Sequence, residues 1–386
     1  MVYREFGNTG ERVSVLGFGC MRLPVLDRNM ARIDEEKATA LIRKAIDSGV
    51  NYIDTAWSYH SETMGQKGES EPFIGRVLKD GYRKKVSIAT KLPSWLVYSR
   101  KDMDYFLDEQ LKRLQTDTID FYLVHSLVGG TWKRMKALGL GDFLNNAISE
   151  GKIRHAGFSF HDNFDLFREI VDAYSWTFCQ IQYNYLDEDF QAGKAGLRYA
   201  SAKGLAVVGM EPLRGGKLAR NLPDDVTTVF ERSGIRRTPA QWALRWVWNH
   251  PEIALVLSGM NAPEEVEQNL AVAEEGYANS LTPEEVSILN QVKSLYGKRI
   301  KVNCTSCSYC MPCPSGVNIP GNFSYYNDYS LFGSKGAREA TVRLYNHFLK
   351  PDERPSACIE CGLCEDKCPQ GIRIIEELKN VGETFR

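Results

Sequence analysis

From about residue 12 to residue 295 the chain alternates two patterns. Short, almost wholly apolar runs read as buried strands, and longer stretches with apolar residues every three or four positions read as amphipathic helices. Strands are predicted over 15–19, 51–54, 86–90, 120–124, 155–159, 179–182, 206–211 and 253–257, and helices over 35–48, 101–114, 164–173 and 193–202. Start and stop signals agree: Asp34 precedes one helix, Gly49 and Gly151 follow others, and Thr282-Pro283-Glu284-Glu285 opens another. Eight strand–helix alternations of this length predict an α/β fold, a (β/α)8 TIM barrel. The rival is a doubly wound sheet. It is disfavoured because Gly17-Phe18-Gly19 and Gly139-Leu140-Gly141 lack the third glycine of a dinucleotide fingerprint. Residues 3–6 and 12–15 flank Gly7-Asn8-Thr9-Gly10 and predict a hairpin that closes the bottom of the barrel.

Composition changes this picture in one place. The 386 residues are 43% hydrophobic and 25% charged, enough for a barrel-sized domain and a smaller one. Lys+Arg 48 against Asp+Glu 49 leaves a net charge of −1, which argues against a nucleic-acid or anionic-membrane surface. No run approaches the ~18 apolar residues of a membrane span, and the first residues have no apolar signal core, so a cytoplasmic location is expected. Of ten cysteines, only Cys20 and Cys179 precede residue 301. The boundary is therefore set near Lys301, with a barrel over 1–300 and a second domain over 301–386.

Strand ends are where a barrel places its chemistry. Reading down them gives Asp54, then Tyr59 five residues on, then Lys91 and His125. A carbonyl receiving hydride develops oxyanion charge and needs a proton. Tyr59 can supply it, although a phenol with a reference pKa of ~10 is a reluctant acid. An ammonium at Lys91 lowers that pKa, Asp54 fixes the lysine, and His125 donates a hydrogen bond to the same oxygen. Each of these residues alone is more often a structural or solvated group; four together at strand ends are not readily accidental.

In the tail, Cys358-x2-Cys361-x2-Cys364-x3-Cys368-Pro369 reproduces the spacing of bacterial ferredoxins. Upstream, Cys304-x2-Cys307-x2-Cys310-x2-Cys313-Pro314 is the same run shortened by one residue. A pair of all-cysteine zinc sites, or disulfides, are the other readings, but zinc sites commonly use separated cysteine pairs. Tyr and Phe residues between the runs read as packing.

Residues 1–295 resemble the aldo-keto reductase family. The resemblance rests on Gly17-Phe18-Gly19, Asn51-Tyr52-Ile53-Asp54-Thr55-Ala56-Trp57-Ser58-Tyr59, Ala89-Thr90-Lys91, Asp120-Phe121-Tyr122-Leu123-Val124-His125 and Glu211-Pro212-Leu213. It implies a nicotinamide coenzyme across the top of the barrel and a tetrad of Asp54, Tyr59, Lys91 and His125, with tyrosine as proton donor. The amide-binding positions fall on Ser159 and Gln182. Met210 stands where many members stack an aromatic on the nicotinamide, before Pro212 and Leu213. The stretch from Ser258, Gly259 and Met260 to Gln268 and Asn269 corresponds to the coenzyme loop of the last strand. Here the chain departs from NADP-specific members: Trp246 through Val292 contains no Lys or Arg and eight Glu. A 2′-phosphate among carboxylates gains no donors, so NADH is favoured over NADPH. Arg214 and Lys217 have two readings, neutralising the pyrophosphate or forming a solvated turn.

The tail resembles a C-terminal, α-rich dicluster ferredoxin-like module, which implies two [4Fe–4S] clusters with the last cysteine of each run crossing over. One cluster takes Cys304, Cys307, Cys310 and Cys368; the other takes Cys358, Cys361, Cys364 and Cys313.

The expected function is an oxidoreductase interconverting a small carbonyl and an alcohol, its clusters exchanging electrons with a ferredoxin- or flavodoxin-type partner. Hydride carries two electrons and a [4Fe–4S] centre normally passes one; a flavin mediator is the usual reconciliation, and no flavin motif is visible. The alternatives are a non-catalytic electron-transfer or redox-sensing protein, and an ordinary carbonyl reductase with structural clusters.

Overall fold

The computed structural model describes residues 1–63, 65–304, 306, 309–368 and 370–386. The chain forms two compact units: Met1–Glu188 with Ala192–Leu213 and Ala240–Leu281, and Asp189–Gln191 with Arg214–Pro239 and Thr282–Arg386.

The first unit opens with an antiparallel hairpin, β1 (Tyr3–Glu5) and β2 (Arg12–Ser14). The barrel strands are β3 (Leu16–Gly19), β4 (Tyr52–Asp54), β5 (Ser87–Leu92), β6 (Ile119–Leu127), β7 (Ile153–Phe160), β8 (Phe178–Gln182), β9 (Ala206–Met210) and β10 (Ile253–Ser258). They pair in parallel in chain order, and β10 closes on β3. All eight stand where the apolar runs predict them. β6 and β7 run further than expected because Leu127 pairs with Phe160 beyond the polar residues His125 and Ser126.

The hairpin does plug the barrel. Phe6, just past β1, lies 4.4 Å from the Phe121 ring and 5.3 Å from Phe178, in one buried cluster with Val13, Tyr52 and Leu255. Gly7 is required here: its φ is +55°, and a Cβ would stand 2.7 Å from the Ala206 nitrogen. Arg4 donates to the carbonyls of His250, Ile253 and Gly276 at 3.0, 2.6 and 2.9 Å. Burial pulls its pKa down to about 10.

Helices cover the outside of the strands. Helix Glu35–Asp47 starts at Asp34, whose carboxylate accepts from the Lys37 N–H, and buries Leu41, Ile42 and Ile46. Helices Arg100–Leu114, Phe164–Asp172 and Gly193–Ala202 fall on their predicted spans within a residue.

In the second unit, Thr282 and Glu285 form the capping box of helix Pro283–Gly297. The tail continues with helices Ile319–Leu331, Lys335–Phe348 and Ile374–Thr384, and no strand follows β10 among the described residues. Val302, Val317, Ile319, Phe323, Tyr345, Leu349, Ile374, Leu378 and Val381 make its core, with Phe385 stacked on Tyr345 at 4.1 Å. Among the described residues no helix is long and apolar enough to cross a membrane.

Candidate active site

Parallel pairing brings the ends of β4, β5 and β6 side by side. Asp54 is the last residue of β4, Lys91 lies near the end of β5, and His125 lies near the end of β6, at the register shift between Val124 and Leu127. Lys91 is fully buried. Its ammonium donates to Asp54 Oδ2 at 2.6 Å, to the Thr55 carbonyl at 2.8 Å and to the Tyr59 hydroxyl at 3.2 Å. Three N–H groups therefore meet three acceptors. Because the phenol oxygen accepts from Lys91, its own proton is free for another acceptor.

The electrostatics refine the sequence expectation. Burial pushes the Tyr59 pKa up and Lys91 pulls it down; burial wins, and the phenol stands at about 12. Lys91 does act in the expected direction without producing a net fall. Burial pushes the Lys91 ammonium down, but Asp54 and Tyr59 outweigh it and its pKa is raised. Burial pushes the Asp54 carboxyl up, opposed by Lys91. His125 is driven well below the ordinary imidazole value by burial, then by Lys91 and His161, so it is neutral. Its Nδ1 is buried without a partner. An unmet lone pair costs less than an unmet N–H, which assigns the proton to Nε2. The His125 ring lies 6.1 Å from Tyr59, edge-on, and 5.0 Å from Trp95.

The expected coenzyme residues are distributed unevenly. The Ser159 hydroxyl accepts from the Ser126 N–H at 2.8 Å. The Gln182 amide donates to Asp187 at 2.7 Å. Ser258 accepts from Asn269 at 3.0 Å, Met260 is buried, and Gln268 is exposed. Pro212 is buried, and Leu213 is half-buried. In the second unit, Arg214 and Lys217 both bind Asp328, at 2.8 and 2.6 Å.

Four residues escaped the sequence reading. Gln180 shares the inward face of β8 with Phe178 and Gln182. It is 2% exposed, its Oε1 has no partner, and its Nε2 meets Met210 Sδ at 3.3 Å. The period-two pattern makes both glutamines visible but does not say which one is already bound. The stem of Arg22 packs against Gly259, and its guanidinium faces Glu211 at 3.7 Å. Trp95, pinned to the Gly65 carbonyl at 2.8 Å, and exposed His161 carried no motif.

Of the eight tail cysteines, Cys307 lies outside the described residues, as does Pro369. Cys304, Cys310, Cys313, Cys358, Cys364 and Cys368 all pack on the core of the tail, while Cys361 is exposed. Burial, and then the neighbouring Glu365, Cys358 and Cys313, push the Cys364 thiol up. Around Cys304, Cys358 and Cys313 the hydrogen-bond donors suit thiolates. Backbone N–H groups of Ser306 and Glu360 donate to Cys304 and Cys358 Sγ at 3.4 Å. At Cys313 burial pushes the pKa up, but Ser315 and the N–H groups of Ser315, Val317 and Gly316 bring it below the ordinary value. The cysteines present, all of one ligand type and most of them gathered on the core of the tail, fit iron–sulfur ligation.

Comparison with known proteins identifies the family of each part of the chain. The Aldo/keto reductase family profile matches residues 15–294, and the 4Fe-4S dicluster domain profile matches residues 303–372. The chain is 29% identical over 272 residues to 6-dehydroglucose reductase of Novosphingobium aromaticivorans, covering 64% of this chain and 83% of that protein. It is 26% identical over 315 residues to L-galactose dehydrogenase of Arabidopsis thaliana, covering 76% and 95%. Among solved structures, the holo form of an aldo-keto reductase from Bacillus halodurans aligns with a TM-score of 0.63 at 27% identity, covering 76% of this chain and 96% of that one. The chain belongs to the aldo/keto reductase family, an oxidoreductase barrel joined to a C-terminal 4Fe-4S dicluster domain.

Proposed function

We propose that the barrel interconverts a small carbonyl compound and its alcohol, with Tyr59 moving the proton. The observation that carries this is the Lys91 ammonium, which spends its three N–H groups on Asp54, Thr55 and the Tyr59 oxygen and leaves the phenol proton free. A bound nicotinamide coenzyme supplies or accepts the hydride. Tyr59 protonates the oxygen as it becomes an alkoxide, a base strong enough to take a proton from a phenol of pKa about 12. Neutral His125 donates Nε2–H to the same oxygen, and Asp54 holds Lys91 in place.

The relatives named for 6-dehydroglucose and L-galactose make a sugar-like, hydroxylated substrate our first choice. Ser159 and Gln180 are assigned to the coenzyme amide: the unpartnered Oε1 of Gln180 needs a donor, whereas Gln182 is held by Asp187. NADH is assigned over NADPH because the loop after β10 offers Glu264 and Glu267 to the ribose and no Lys or Arg lies between Trp246 and Val292.

The two clusters match in number the two electrons of one hydride, and we assign them to exchange with a ferredoxin- or flavodoxin-type carrier. Thiolate ligands suit a reducing compartment, here the cytoplasm. The test is Tyr59→Phe. Carbonyl reduction should fall by about 10²–10⁴-fold with coenzyme affinity nearly unchanged; parent-like turnover would remove Tyr59 from the chemistry.

A further inference from the structure

Tyr59 and Lys91 come from different parts of the chain. Lys91 is on β5, while Tyr59 sits in the irregular segment between β4 and helix Ser70–Val77. Nothing in regular secondary structure sets the 3.2 Å between their functional atoms. Beneath them lies a buried carboxylate that the reaction does not use. Glu71, in the first turn of helix Ser70–Val77, is 0% exposed.

Its Oε1 accepts from Thr90 Oγ1 and from Gln110 Nε2, both at 2.6 Å. Thr90 is the chain neighbour of Lys91, and Gln110 Nε2 also donates to the Lys91 carbonyl at 3.0 Å. Tyr122 fixes the other end of Gln110 by donating to its Oε1 at 2.8 Å. These bonds hold the strand that carries the ammonium.

Glu71 Oε2 faces the loop that carries the phenol. It accepts from Arg113 Nε at 2.9 Å. Arg113 in turn donates to the Gly68 carbonyl and covers the Trp57 ring at 4.9 Å. Gly68 folds directly onto Tyr59: a Cβ at residue 68 would lie 2.0 Å from the Tyr59 carbonyl oxygen. The Gly68 N–H also donates to the Trp57 carbonyl, and the Ser70 N–H to that of Tyr59.

A buried ion pair of this kind is a poor source of stability, since well-packed apolar side chains do as well or better. What it provides is direction, because each bond has a fixed partner in a dry site. We infer that Glu71, with Arg113 as counter-ion, is a positioning residue that sets the Lys91–Tyr59 separation by tying Lys91's strand and Tyr59's loop to one carboxylate. This rests on the reading of Tyr59 as the proton-transfer group.

Two measurements on Glu71→Gln test it. In a crystal structure of the variant the Lys91 Nζ–Tyr59 hydroxyl separation should widen beyond hydrogen-bond range while the barrel strands superimpose on the parent. An unchanged separation overturns the inference. With 4-nitrobenzaldehyde as probe, kcat should fall by about 10–100-fold, as expected for misplacement near 1 Å. KM and the coenzyme Kd, read from protein fluorescence, should stay within about threefold. In a Tyr59→Phe background the same change should cost nothing further, whereas a merely structural role lowers both backgrounds alike and overturns the assignment. If the separation widens but Tyr59→Phe is as active as the parent, the brace stands and the proton-donor reading falls. Should Glu71→Gln not fold, Arg113→Lys keeps the charge, loses the contact with Gly68, and is read in the same two ways.

Discussion

Replacing Lys91 by methionine keeps most of the side-chain volume and removes one charge from a fully buried pair. The ammonium and Asp54 Oδ2 are 2.6 Å apart, with side chains 0% and 3% exposed. At an effective dielectric constant of ~20, unit charges at that separation attract by about 6 kcal/mol. Both ions were desolvated to reach that position, so the loss on removing one partner is smaller, about 3–5 kcal/mol. At roughly 2–4 °C per kcal/mol, the melting point should fall by about 6–20 °C. The deficit should depend on pH. Burial already pushes the Asp54 carboxyl up, and Lys91 is what opposes it. In Lys91→Met the folded-state pKa of Asp54 therefore lies above its unfolded value of ~3.9. The folded variant then binds a proton at a pH where the unfolded chain and the parent do not, so the deficit is full above the variant's folded pKa and shrinks as pH falls from there toward the parent's. Thermal melts by circular dichroism at pH 5 and pH 8 should show the larger deficit at pH 8. There, Asp54→Asn combined with Lys91→Met should be more stable than Lys91→Met alone. Equal deficits at both pH values, or a double variant no more stable than the single one, would refute the uncompensated-carboxylate argument.

Anaerobically prepared protein should hold about eight iron and eight sulfide per chain, two four-iron clusters' worth, as measured by chemical analysis. Stoichiometric zinc without sulfide would count against the ligand assignment. Coenzyme titrations at equal salt should favour NADH by about tenfold or more, ~1.4 kcal/mol. Tighter NADPH would mean that a cation outside the last-strand loop, such as Arg22, reads the phosphate. With Tyr59 pushed up to about 12 and His125 held neutral, both stay in their reducing-direction forms at working pH. The kcat for carbonyl reduction should therefore be level from about pH 6 to 9, and a titration near neutrality would assign the proton to another group. Phe6→Ala, which empties the plug against Phe121 and Phe178, should cost about 3–5 kcal/mol in urea denaturation. A loss under 1 kcal/mol would mean the hairpin does not close the barrel.

The strands of the barrel were legible because burial on both faces leaves short apolar runs, a local pattern that survives without knowledge of neighbours. The same pattern stopped short at His125 and Ser126, where pairing of Leu127 with Phe160 extends the strand through polar residues. Asp54, Lys91 and His125 could be named because each ends or directly follows an apolar run, Tyr59 because it stands five residues past Asp54, and the cysteine runs because ligand spacing is written directly in the chain. What each polar group is already bonded to could not be read, since those partners lie far off in sequence. Only folding shows that Asp187 holds Gln182 while Gln180 keeps an unmet oxygen, and that Asp328 holds Arg214 and Lys217. The sign of the shift at Tyr59 likewise needed the tertiary structure. The sequence supplies the lysine that lowers the pKa of the phenol, but burial, which raises it further, depends on everything packed around the ring. Glu71 is the extreme case. In the chain it is one acidic residue near a helix start, and only the barrel brings Thr90, Gln110 and Arg113 to its two oxygens.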